Sequence, residues 1–114
     1  MSQFTNAQND LVREIVRGKC DRNRARRELI KLEKAFPEEQ FGTYEPKRKE
    51  KPWDISYLRE LEELFYHGAD SKDFIEYMAE VSEEVYRSNH IRKVLLGALL
   101  IVAFIAAIIL FIKR

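Results

Sequence analysis

Residues 94–112 read VLLGALLIVAFIAAIILFI, and Lys113 and Arg114 follow them. A helix of nineteen residues rises about 28 Å at 1.5 Å each, close to the roughly 30 Å hydrocarbon core of a bilayer. The run holds five Leu, five Ile, two Val and two Phe, and no charge. At about −0.3 to −0.6 kcal/mol for each of these, insertion is favoured by about 4–8 kcal/mol. A helix apolar on every face needs either a large protein surround or lipid. The remaining ninety-odd residues are too few to provide that surround, so the stretch predicts a single transmembrane span.

The segments before the span are sharply divided by charge. Residues 1–51 carry 13 bases and 9 acids, residues 52–86 carry 2 bases and 10 acids, and residues 87–114 carry 5 bases and no acid. Such asymmetry speaks about surfaces and partners rather than fold. The opening MSQFTNAQND has no apolar core of a signal peptide. Arg87, Arg92 and Lys93 precede the span against Lys113 and Arg114 after it, a small excess that favours an N-terminus-in orientation. With Arg92, Lys93, Lys113 and Arg114 at the membrane interface, the sequence predicts a tail anchor. The N-terminal part would then be cytoplasmic and the C-terminus across the membrane. Ala103 and Ala107 form a small-xxx-small pair and Gly97 a second small spot, a pattern that can join the spans of a homo-oligomer.

All three prolines, Pro37, Pro46 and Pro52, fall in one stretch, PEEQFGTYEPKRKEKPW, which reads as a linker. Its aromatics, Phe41, Tyr44 and Trp53, predict packing against a surface. On both sides the periodicity is helical. Thr5 to Gln8 fit a capping box ahead of Leu11, Val12, Ile15 and Val16, and Gly18 stops that helix. Asp21 or Asn23 caps a second helix with Ala25, Leu29, Leu32 and Phe36 on one face, ended by Pro37. Asp54 or Ser56 caps a third, with Leu58, Leu61, Leu64 and Phe65. After Gly68, Asp70 or Ser71 caps a fourth carrying Phe74, Met78, Val81 and Val85. Nothing breaks the fourth helix before Gly97, so it is expected to run unbroken into the membrane.

The predicted fold is all-α, a small cytoplasmic bundle of two helical hairpins with the last helix continuous with a C-terminal transmembrane helix. Its parts are a basic hairpin (1–36), a linker (37–53), an acidic hairpin (54–92) and the anchor (93–114). A cytoplasmic heptad helix leading into a span is similar in layout to the SNARE proteins. The heptad stripe here is only about two heptads long and has no polar layer, and it is expected to pack on the third helix.

Chemistry-bearing patterns are scarce. His67 and His90 have no second ligand at helical spacing, and neither a glycine-rich phosphate loop nor a nucleophile elbow occurs. Cys20, the one cysteine, sits among bases but reads as a half-buried structural residue. The sequence therefore predicts a non-enzymatic protein with no catalytic, cofactor or metal site. The constellation that stands out is Arg24, Arg27, Lys31 and Lys34, spaced 3, 4 and 3 along the second helix. They form one stripe, away from the apolar face. Arg13, Arg17 and Arg22 extend it.

Four readings of this stripe compete. It is a solvated face or one docked on the acidic hairpin, a surface for an acidic protein partner, a contact with anionic lipids, or a nucleic-acid interface. The last rests on the helix–turn–helix outline of LVREIVRGKCDRNRARRELIKL, and a membrane tether argues against it. The expected function is an adaptor or accessory subunit holding a protein partner at the cytoplasmic membrane face. The alternatives are a membrane-tethered nucleic-acid-binding regulator and a small structural subunit of a larger membrane complex.

Overall fold

The computed structural model describes the backbone of residues 2–113, and the side chains in that range except those at 88–90 and 92. The chain is all-helical, with α1 (Gln3–Val16), α2 (Arg22–Ala35), α3 (Ile55–Tyr66) and α4 (Lys72–Lys113). Among the described residues there is no strand, only an isolated parallel bridge between Gly42 and Ser71.

Helix α1 starts earlier than the capping box at Thr5 predicts. Ser2 is the N-cap, and its Oγ accepts from the Thr5 amide at 3.1 Å. The earlier start has a packing cause. It puts Phe4 on the same face as Gln8, Leu11 and Ile15, and all four are buried. Gln8 therefore faces the interior rather than reaching back to a cap. Its Nε2 has no hydrogen-bond partner among the described residues. Phe4 stacks edge-on against Phe36 and Phe41 at 5.6 and 5.2 Å. One ring thereby ties α1 to the end of α2 and to the linker.

The other caps settle between the expected alternatives. Asp21 caps α2, its Oδ1 accepting from the Arg24 amide at 2.7 Å. Asp54 caps α3 through the Tyr57 amide at 2.8 Å. Ser71 caps α4, accepting from the Phe74 amide at 3.1 Å while donating to Glu45 at 3.0 Å. Each satisfies one orphan donor of a helix N-terminus, an interaction worth about 1 kcal/mol. At the other end of α2, Phe36 leaves helical geometry with ψ 66, since the residue before a proline is driven out of the α region.

Helix α4 is the common partner: α1, α2 and α3 all pack on it, and α1 also meets α2 and α3. Its first half is accordingly buried around most of its circumference, through Phe74, Ile75, Tyr77, Met78, Ala79, Val81, Ser82 and Val85. The heptad stripe is thus only part of what α4 buries, and the third helix is one of three neighbours. Leu29, Leu58, Leu61, Phe74 and Met78 are almost completely buried in one shared cluster, each contributing about 1.5–3 kcal/mol by leaving water.

The linker packs on this core through Phe41 and Trp53, while Tyr44 is exposed. Gly42 passes so close to the α3–α4 turn that a Cβ there would lie 1.7 Å from Asp70 Oδ1. A side chain at this position would require the Asp70 carboxylate to swing aside.

Helix α4 continues for 42 residues without a break, about 63 Å at 1.5 Å per residue. This sets the molecule's long dimension of 76 Å. The stretch Lys93–Lys113 is long and apolar enough to cross a membrane, and it buries nothing against the rest of the chain. Leu100, Phe104, Leu110 and Phe111 are each more than 65% exposed.

Candidate interaction surface

The basic residues divide into those used within the protein and those left free. Arg22 and Arg26 turn towards α4 and both bond to Glu76 Oε1, Arg22 at 3.4 Å. Glu76 is half-buried, and the hydrogen bond from Arg26 holds its carboxyl below the usual range, with Arg22 adding to the effect. Lys72 meets Glu33 at 2.8 Å and Lys51 meets Glu84 at 2.9 Å. Arg22, expected to extend the outer basic surface, is instead an internal clamp. Its position at the start of α2 puts it over α4.

The predicted stripe splits. The Arg24 side chain bends to the α1–α2 turn and donates to the Lys19 carbonyl at 2.7 Å. Arg27, Lys31 and Lys34 are exposed on α2. Lys31 is 3.4 Å from Glu28, an exposed pair of little energetic weight. Arg27 and Lys34 have no ion pair among the described residues. Ile30, one turn from both Arg27 and Lys34, is 41% exposed and adds an apolar side chain beside the stripe. On α1, Arg13 pairs with Asp10 at 3.3 Å, and Arg17, the C-cap, is exposed. Of the residues expected at the membrane interface, Lys93 and Lys113 are exposed at the two ends of the apolar stretch. Arg114 and the Arg92 side chain lie outside the described residues.

The basic cluster of the linker is the feature that periodicity missed. Arg48 lies over the Tyr77 ring at 4.8 Å, Lys49 over Tyr57 at 5.5 Å and Lys51 over Trp53 at 5.3 Å. These cation–π contacts accompany a closed hydrogen-bond ring. The Lys49 amide donates to Tyr57 Oη at 2.9 Å, Tyr77 Oη donates to the Lys49 carbonyl at 3.2 Å, and the two hydroxyls are 2.8 Å apart. Because the Tyr77 proton is committed to Lys49, the Tyr57 hydroxyl donates to Tyr77. Trp53 Nε1 adds a second bond to the Lys49 carbonyl at 3.0 Å. Burial pushes the Tyr77 phenol well above its ordinary range. Aromatics following a basic, proline-containing run are the only sequence signal of this clamp.

Cys20 is buried, and burial pushes its thiol up despite the nearby Arg24, which leaves it protonated and a poor nucleophile. Among the described residues no group of three or more His, Cys, Asp or Glu is placed to hold a metal. An open groove of about 650 Å³ lies between the linker and the start of α4. Glu33, Glu39, Glu45 and Asp73 line it with a single base, Lys72. Comparison with known proteins brings no match: no family model, characterised protein or solved structure is significantly similar to this chain.

Proposed function

We propose that the protein is a single-pass, non-enzymatic membrane adaptor. Residues 94–112 span the bilayer, and the preceding helices form a cytoplasmic bundle that holds an acidic protein partner at the membrane face. The observation that carries this reading is the contrast along one molecule. An uncovered apolar helix is continuous with a packed core, and the core presents Arg27, Lys31 and Lys34 outward around the exposed Ile30. Arg22 and Arg26 already neutralise Glu76, so the outer cations are available to a partner. An exposed apolar side chain flanked by basic groups suits an acidic, partly apolar protein surface. Three basic residues, Arg87, Arg92 and Lys93, directly precede the span, which favours the cytoplasmic side for the bundle.

Reversing Arg27 and Lys31 to Glu tests the reading. Affinity capture from detergent-solubilised membranes is expected to recover a specific partner with the natural chain and lose it with the variant, helicity and insertion being unchanged. Identical recovery with both chains would remove the stripe from the account.

A further inference from the structure

We propose that the end of the folded part nearest the span is a docking surface for anionic lipid headgroups, formed by Arg17, Lys19 and Arg24 at the α1–α2 turn together with Lys93 on α4. The proposal rests on the reading that residues 94–112 lie in a bilayer. It assigns a ligand to a part of the basic surface separate from the outer α2 face.

The argument is one of height along α4. The Tyr86 hydroxyl bonds to the Val16 carbonyl at 2.6 Å, and the Tyr86 ring lies against Gly18. The turn after α1 is thereby fixed at the level of Tyr86. Tyr86 precedes Val94 by eight residues, about 12 Å along a helix. The headgroup layer occupies roughly 5–7 Å beyond the hydrocarbon on each side. The gap left is about 5–7 Å, less than the Debye length of about 8 Å at physiological salt, and a lysine or arginine side chain bridges it.

The α2 stripe sits much higher. Arg26, the neighbour of Arg27, is bonded to Glu76, and Glu33, the neighbour of Lys34, is bonded to Lys72. Glu76 precedes Val94 by eighteen residues, about 27 Å, so the stripe stands more than two Debye lengths above the headgroups.

The charges at the low end are free to act. Arg17, Lys19 and Arg24 make no ion pair among the described residues. The bond from Arg24 to the Lys19 carbonyl holds two of the three cations in one turn. Glu83 and Glu84, the acids at this level of α4, are taken up by Arg87 at 3.2 Å and Lys51 at 2.9 Å. Asp21 is committed to capping α2, and Glu14 lies one turn back in α1. At the opposite end Glu33, Glu39, Glu45 and Asp73 gather around the open groove. The unpaired cations at the low end therefore face the leaflet, and an anionic surface attracts such charges.

The full chain, reconstituted in phosphatidylcholine bilayers, tests this with trace spin-labelled phosphatidylserine or phosphatidylcholine as the probe. The reading is the preference for serine lipid in the motionally restricted shell around the protein. The natural chain is expected to prefer phosphatidylserine, and Arg17→Gln with Lys19→Gln to lower the preference roughly twofold or more. About 0.5 M salt should remove the difference between the two chains, and Arg27→Gln with Lys31→Gln should leave the preference as in the natural chain. Equal preference in the natural and Arg17/Lys19 chains overturns the proposal and leaves the membrane span intact. A loss as large in the Arg27/Lys31 variant also overturns it, because the higher stripe would then be the lipid surface. If no restricted lipid forms around any chain, the span itself is wrong, and this inference falls with it.

Discussion

The Tyr86 hydroxyl donates to the Val16 carbonyl at 2.6 Å across seventy residues of sequence, and the Tyr86 ring fills the space a side chain at position 18 would need. Ser82 does the same one turn earlier, donating to the Ile15 carbonyl. The Val16 carbonyl at the end of α1 is thus satisfied from α4, and the Ile15 carbonyl, which accepts from the Gly18 amide at 3.0 Å, gains a second donor. This is how α1 is fixed to the long helix.

Gly18 has φ 76, and a Cβ there would lie 2.7 Å from the Tyr86 ring. Gly18→Ala meets both a left-handed backbone, worth about 1–2 kcal/mol, and overpacking of about 1–3 kcal/mol. The expected loss is about 2–4 kcal/mol, read as a fall in melting temperature of the full chain in detergent. Tyr86→Phe keeps the ring and removes one hydrogen bond, so it should cost only about 1 kcal/mol. If Gly18→Ala proves as mild as Tyr86→Phe, the ring does not occupy that space.

The tyrosine clamp predicts a specific failure at high pH. The Tyr77 phenol is held above its ordinary range by burial, whereas an unfolded chain ionises its tyrosines near pH 10. Stability from this group is therefore complete below about pH 10 and lost as pH rises from there towards the folded-state value. Ultraviolet titration should show the Tyr77 phenolate appearing together with loss of helicity. In Tyr77→Phe, which leaves the Lys49 carbonyl with Trp53 alone, the alkaline transition should soften and stability at neutral pH fall by about 1–2 kcal/mol. Free ionisation of Tyr77 in the intact fold would contradict the ring of bonds.

The Glu76 pair separates internal from external cations. Its carboxyl is held low by Arg26, so its contribution is present above the ordinary carboxylate value near 4.3 and disappears as pH falls below that through the folded-state value. Glu76→Gln should cost about 1 kcal/mol at neutral pH and nothing near pH 2, in thermal melts. Arg26→Ala should destabilise in the same way, while Arg27→Ala, one residue on, should leave the melt unchanged. A destabilising Arg27→Ala would mean that the outer stripe is docked within the protein.

The core offers the plainest stability test. Leu61 is 1% exposed between α3 and its neighbours, and Leu61→Ala should cost about 2–4 kcal/mol by leaving a cavity. A cost below about 1 kcal/mol would mean that the site is loosely packed.

What the sequence reveals here is which face of each helix is buried, not which neighbour covers it. Ala25, Leu29, Leu58, Leu61 and Met78 fall where helical spacing puts them. The apolar run of α4 is visible from composition alone. The start of α1 is not, because Ser2 and Thr5 are both credible caps and only the burial of Phe4 decides between them. Nor does spacing distinguish Arg26 from Arg27. Each lies on the polar side of α2, and the difference comes from where Glu76 stands on another helix. Tyr57 and Tyr77 escaped notice because their role depends on Lys49, brought to them by the path of the linker. Periodicity carries no information about that path.

The central claim is that α4 carries the chain through a bilayer with the preceding helices on the cytoplasmic side. Protease added to sealed, cytoplasmic-face-out vesicles tests it most directly. The account predicts that residues 1–90 are digested, and that a carbonate-resistant fragment of about 2–3 kDa remains, as a protected span of some twenty residues requires. Release of the whole chain by carbonate, or full protection of the N-terminal helices from the protease, would contradict it.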